Sequence, residues 1–229
     1  ICNTHATKDE ILKCTLKGYN AKTIKGKIIN GDKLDAHNTF DNPNRVKINE
    51  FNKAKLVKGE IEVTIPAHSV VALEISGDYA GKPLVDQPRN PKNGLKYTIY
   101  EGSWNKLPDF SSAKPLKSGV CENFTLPTDI PTTNSGIVYE GYILIENEGF
   151  YDFFTVSDDG SRLYIDDDVI VNNDGLHGMI EKSGNVFLKK GYHKIKVDFF
   201  QAGGGLGLNV LIQAPNGKKE LINNKILYY

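Results

Sequence analysis

The sequence has no excess charge of either sign, almost no sulfur and no long apolar run, and each absence removes a class of function. Lysine plus arginine equals aspartate plus glutamate at 28 each. No aggregate positive field favours a phosphate backbone, and no like-charge block reads as a disordered tail, so nucleic acid is not an expected partner. No stretch approaches the ~20 apolar residues of a membrane-spanning helix. The three cysteines, Cys2, Cys14 and Cys121, lack the spacing of a zinc or redox site. Cys14 alternates with Leu12 and Leu16, which predicts a buried free thiol. A bridge from Cys2 to Cys14 across neighbouring strands is the alternative, and the cysteines leave the compartment open. A signal peptide is missing at Ile1, which is not a methionine; the chain is expected to be a piece of a longer protein.

Helical periodicity is missing as well. What is present is alternation. Residues 10–16, 23–29 and 45–51 read as strands, and Glu60 to Ile65 alternates cleanly with Ile61, Val63 and Ile65 on one face. Pro66 to Ser69 forms a turn, and Ser69 to Ile75 returns as the second arm of a hairpin. Three prolines between residues 77 and 93 forbid a regular ladder and mark a linker. Beyond Gly94 further strands follow, with a long excursion over 109–133 that holds one expected strand at 121–126. Strands without intervening helices predict an all-β chain, two β-sandwich domains (1–76 and 94–229) joined by a Pro-rich linker.

Chemistry concentrates in Phe154 to Gly175. A strand over 151–156 leads into a turn at Ser157, Asp158, Asp159 and Gly160. Leu163 and Ile165 alternate with polar neighbours, Asp166 to Asp168 turn again, and a polar loop runs from Asn172 to Gly178. Acidic loops on a rigid sandwich are where binding function tends to sit. The competing reading is that Asp, Asn and Gly are simply the usual turn residues, with Asp159 bonding loop amides. His37 and His68 sit in turns without a companion ligand and read as backbone-bonding or solvated. The run Gln201 to Gly207 fits neither a phosphate loop nor a dinucleotide loop, because no helix follows it, and reads as a turn. Trp104 reads as partly buried structure rather than a sugar platform.

The segment Val156-Ser-Asp-Asp-Gly-Ser-Arg-Leu-Tyr-Ile-Asp166 resembles the signature of the protective-antigen-type domain, a β-sandwich of toxins, flocculin adhesins and glycosidase appendages. Gly94 to Trp104, Gly136 to Ile145, Gly149 to Phe154 and Lys190 to Phe200 agree with it. The resemblance implies that Asp158 and Asp159 are the heart of a calcium-assisted glycan site, with a cis peptide between them. Calcium is a hard cation that takes several oxygen ligands. By proximity in sequence, Asn172 and Asn173 are candidate further metal ligands. Asp174, His177 and Arg162 are candidate sugar contacts on the same ground.

Ala36 to Val46 and Ile65 to Val71 resemble the C-terminal β-sandwich of family 51 α-L-arabinofuranosidases. In that family the catalytic glutamates lie in a barrel upstream, so no catalytic residue carries over and this chain is expected to hydrolyse nothing by itself. The resemblances together imply a non-catalytic C-terminal accessory region of a secreted glycoside hydrolase. The upstream catalytic domain and a polysaccharide or oligosaccharide would be its partners, outside the cell, in the periplasm or on the cell surface. A calcium-dependent lectin or adhesin module, and a spacer without ligand, are the alternatives.

Overall fold

A computed structural model describes residues 1–81 and 88–229; the core of the linker reading, Lys82 to Gln87, lies outside the described residues. The chain divides into two compact units, Ile1–Ala80 and Gly81–Tyr229. Among the described residues nearly every regular element is a strand, and every strand pair is antiparallel.

The first unit holds β1 (Cys2–Asn3), β2 (Glu10–Cys14), β3 (Tyr19–Asn30), β4 (Lys47–Phe51), β5 (Ala54–Val57), β6 (Glu60–Ile65) and β7 (Ser69–Tyr79). They form a four-stranded sheet, β1-β7-β3-β4, and a three-stranded sheet, β2-β6-β5. The β6 alternation buries Ile61, Val63 and Ile65, as its pattern predicts. The core is small: Ile28, Phe51, Val63, Ile65 and Val71, with Ala54 and Leu73 against it. Strand β7 continues through Tyr79, paired with Tyr19, so the ladder reaches three residues into the segment read as linker. All three thiols are free. The Cys2–Cys14 alternative fails because β1 and β2 belong to different sheets. Cys14 is half-buried rather than buried, because its strand leaves Ile11 and Leu12 exposed.

The second unit holds β8 (Leu95–Glu101), β9 (Pro115–Cys121), β10 (Ser135–Ile145), β11 (Gly149–Asp158), β12 (Ser161–Ile165), β13 (Asp168–Asn173), β14 (Ile180–Leu188), β15 (Gly191–Gln201), β16 (Gly207–Gln213), β17 (Lys219–Leu221) and β18 (Leu227–Tyr228). One sheet runs β13-β12-β15-β10-β8-β9, with β18 also on β10, and the other β14-β11-β16-β17. Their inner faces close over one core, in which Ile99, Ile137, Tyr139, Phe153, Leu163, Val197 and Phe199 are fully buried. Truncating one of the phenylalanines would cost about 3–5 kcal/mol. The strand expected at 121–126 is displaced: β9 ends at Cys121, and residues 122–126 are irregular. Strand β11 likewise extends through Ser157 and Asp158, which the sequence assigns to a turn.

Candidate functional site

Period-two alternation decides which polar side chains meet. Along β11 the side chains of Tyr151, Phe153, Thr155 and Ser157 point inward. At the end of that row the Ser157 hydroxyl lies 2.8 Å from the Ser161 hydroxyl, where β12 begins. Asn173, at the end of β13, donates through Nδ2 to Ser157 Oγ at 3.1 Å and to the Ile180 carbonyl at 2.9 Å. One buried amide thus ties β11, β13 and β14 together beneath the Asp158–Asp159 turn. Its donors are spent there, so only Oδ1 remains to face a cation.

The Asp158–Asp159 peptide is cis, as the resemblance implies. The two carboxylates have different surroundings. Asp159 is 5% exposed. Its Oδ1 accepts from the His177 amide at 3.1 Å and its Oδ2 from the Ala202 amide at 2.9 Å. Its own amide donates to Gln201 Oε1 at 3.1 Å, and Gln201, fully buried, donates on to the Gly205 carbonyl at 2.5 Å. Asp159 therefore pins both flanking loops, 174–179 and 202–206. Asp158 is half-buried, and among the described residues no hydrogen-bond donor meets its carboxylate. A Cβ on Gly205 would stand 2.5 Å from Asp158 Oδ2, so the glycine run passes directly over that carboxylate. Gly160 is required for a similar reason: a Cβ there would meet the Gly175 backbone at 2.9 Å.

The His177 ring sits between the Gly178 carbonyl at 2.9 Å and the Asn173 carbonyl at 3.0 Å. Burial opposes its charge. The two carbonyls and the carboxylates of Asp159 and Asp158 outweigh burial and hold the imidazole above its usual range. Among the described residues no three His, Cys, Asp or Glu side chains converge as a metal cluster.

The remaining candidates lie elsewhere. Arg162, Asn172 and Asp174 point to the outer face of the larger sheet. Arg162 Nε donates to Asn172 Oδ1 at 3.2 Å, and Arg162 Nη2 meets Asp174 Oδ2 at 3.1 Å. Asp174 Oδ1 accepts from the Leu107 amide at 2.7 Å and anchors the 107–111 segment. Sequence proximity does not see this split, although alternation carries it: Ser161 and Asn173 face one way, Arg162 and Asn172 the other. Gln201, Ala202 and Gly205, in the stretch that reads as a turn, reach Asp159 and Asp158 through tertiary folding.

A concavity of about 730 Å³ in the first unit competes for attention. Its polar groups are already engaged. Asp32 is bidentate to Arg45, and His68 bonds the carbonyls of Ala6 and Gly31, in line with the backbone-bonding reading. Trp104 packs edge-on to Phe110 with centroids 5.6 Å apart, a structural role.

The fold and its acidic end define an antiparallel two-sheet sandwich that presents loops around a pair of consecutive aspartates. The chain belongs to the PA14 domain family: the family model matches residues 91–225, more than half of the 229. Residues 3–69 match the model of the alpha-L-arabinofuranosidase C-terminal domain. An intracellular exo-alpha-L-arabinofuranosidase of Bacteroides ovatus is 35% identical over 75 residues, 33% of this chain, which spans only 15% of that relative. The solved PA14 domain of MpAFP antifreeze protein is 18% identical with a TM-score of 0.53, covering 64% of this chain and 96% of that one. Epithelial adhesin 9 A domain of Candida glabrata, in complex with Galb1-4GlcNAc, is 15% identical with a TM-score of 0.51, covering 64% and 94%. Both likenesses show the fold. Among the described residues no helix is long and apolar enough to cross a membrane.

Proposed function

We propose that the second unit binds a neutral carbohydrate at its acidic end with the help of calcium, and that the chain is a non-catalytic accessory region of a glycoside hydrolase. The observation that carries this reading is the unequal pair. Asp159 is fixed by two backbone amides, while Asp158 beside it is a half-buried carboxylate that meets no donor among the described residues. A turn that needs aspartate only for capping has no use for the second one. Asp158, Asp159 and Asn173 Oδ1 are hard donors of the type calcium takes, and they would hold it. Asn172 does not share that face. Bound calcium would supply coordination positions for sugar hydroxyls. The chain's own contribution is to orient Asp159, to frame the site with the 202–206 glycine run and to present His177 as a hydrogen-bonding neighbour. The sugar-bound adhesin of the same fold supports a carbohydrate over other ligands.

Titration calorimetry with calcium tests the reading on the native chain, Asp158→Ala and Asp159→Ala. The expected result is an affinity on the order of 10⁻⁴–10⁻³ M, as in extracellular modules, lost in Asp158→Ala. No heat, and no calcium-dependent rise in melting temperature, would leave both aspartates as turn residues.

The match of residues 3–69 supports a parent arabinofuranosidase. So does an exposed apolar row across the first unit: Val70, Ile29 and Ile48 are cross-strand neighbours, 51%, 41% and 63% exposed. Such a row suits a covering domain. The coding sequence upstream of Ile1 tests it, a catalytic barrel being the expected result. Export is part of the proposal, favoured by the adhesin fold and opposed by the intracellular name of the relative. Fractionation of the producing cell separates the two.

A further inference from the structure

The outer face of the larger sheet carries a cleft that the acidic end does not use. Its volume is about 420 Å³, inside the range of roughly 300–1,000 Å³ typical of small-molecule sites. The floor is built from two cross-strand rows. Arg162, Asp198 and Val138 form one, and Tyr164, Lys196 and Glu140 the next. One wall is the 107–111 segment, clamped by Asp174 on the Leu107 amide and by Asp109, which accepts from the Ser111 amide at 3.0 Å. Phe110 seats that wall against Tyr100 with ring centroids 4.8 Å apart.

Asp198 is the unusual group. It is 5% exposed, and its Oδ1 is fully buried without a hydrogen-bond donor. Lys196 Nζ forms an ion pair with that oxygen at 3.2 Å and lies 4.5 Å from the centre of the Tyr164 ring. A buried acceptor held only by an ion pair gains from a ligand that donates a well-aligned hydrogen bond. The surroundings are mixed in sign. An anion would meet Asp198, Glu140 and Asp109, and a cation would meet Arg162 and Lys196. A neutral polyol suits both, because each hydroxyl donates to a carboxylate and accepts from a cation.

We propose that this cleft is a second, calcium-independent carbohydrate site, which takes one neutral sugar unit. A sugar hydroxyl donates to Asp198 as the flexible Lys196 swings aside, other hydroxyls accept from Arg162 and Lys196, and Tyr164 and Tyr100 offer ring faces and hydroxyls. The clamped wall means that little ordering is required on binding. This site stands whether or not the acidic end binds calcium.

The test is amide NMR of the whole chain with a panel of neutral arabino-, xylo-, gluco-, manno- and galacto-oligosaccharides at millimolar concentration. Shifts at Val138, Glu140, Arg162 and Asp198 are expected with at least one panel member, unchanged by EDTA and in Asp158→Ala. Asp198→Asn and Tyr164→Phe should each weaken that binding about tenfold or more. The proposal is overturned if no saccharide moves those amides. It is also overturned if the shifts vanish with EDTA, or if neither substitution weakens them while both variants keep the native spectrum elsewhere.

Discussion

Asn172 and Asn173 are consecutive on β13 and serve opposite faces of it. Asn172 Oδ1 accepts from Arg162 on the outer face, and Asn173 Nδ2 is buried on Ser157 Oγ and the Ile180 carbonyl. The same chemical group therefore has two different energetic roles.

Asn173→Ala should destabilise the second unit by about 2–3 kcal/mol, since it strips a buried carbonyl and hydroxyl of their donor. Asn172→Ala should stay within roughly 0.5 kcal/mol of native, because its one bond is exposed. Urea unfolding of the two variants measures the difference, and equal effects would contradict the assignment of faces.

Asp159 and Asp158 should separate in the same way. Asp159→Ala leaves the His177 and Ala202 amides without acceptors and should cost about 3–6 kcal/mol, from two charge-assisted bonds of roughly 1.5–3 each. Asp158→Ala removes no hydrogen bond and should leave stability in the absence of calcium nearly unchanged. Hydrogen exchange at 174–179 and 202–206 should quicken in Asp159→Ala alone. Quickening in both variants would mean that Asp158 also pins a loop.

Much of this was legible in the sequence where local pattern and global fold agree. β6 and β11 alternate strictly, and their buried sets follow. The aspartate pair stands out through its own motif. The failures have physical causes. β9 reads Pro-Leu-Lys-Ser-Gly-Val-Cys, a poor strand by propensity, and it forms at the sheet edge, where proline and lysine are tolerated. Its pairing with β8, not its composition, makes it a strand. Arg162 and Asp174 lie near Asp158 along the chain, and alternation turns them to the other side of the sheet. Gln201 lies 42 residues from Asp159, and no local signal announces that contact.

A buried pair, His193 and Asp166, supports the opposite end of the sandwich. His193 is fully buried, with Nδ1 2.6 Å from Asp166 Oδ2 and Nε2 2.8 Å from the Lys189 carbonyl. Asp166 Oδ1 accepts from the Lys194 amide at 3.0 Å, which fixes the β12–β13 turn on β15. Removing the imidazole takes a partner from the buried Asp166 carboxylate and opens a cavity in its place, so His193→Ala should cost about 2–5 kcal/mol. Denaturant melts would show it. A loss below about 1 kcal/mol would mean that solvent or a neighbour replaces the imidazole easily.

Asp198 gives the clearest pH dependence. Burial pushes its carboxyl above the usual range, opposed by Lys196, the Tyr164 hydroxyl and Arg162, and burial wins. The other groups that face it across the cleft are Glu140 from β10, Tyr100 from β8 and Asp109 from the loop wall. A carboxyl whose folded pKa is raised stabilises the fold fully below its unfolded value of about 3.9, and that contribution is lost as pH rises through the folded pKa. At neutral pH native Asp198 is therefore a cost, one that a binding site can justify. Asp198→Asn, similar in size and uncharged, removes the cost. The variant should melt above the native chain at pH 7, with the difference closing as pH falls toward 4. Melting curves of both chains across that interval measure it. A variant less stable than native at pH 7 would mean that the contacts with Lys196 and Arg162 outweigh burial, and Asp198 would then be a structural ion-pair partner rather than an acceptor waiting for a hydroxyl.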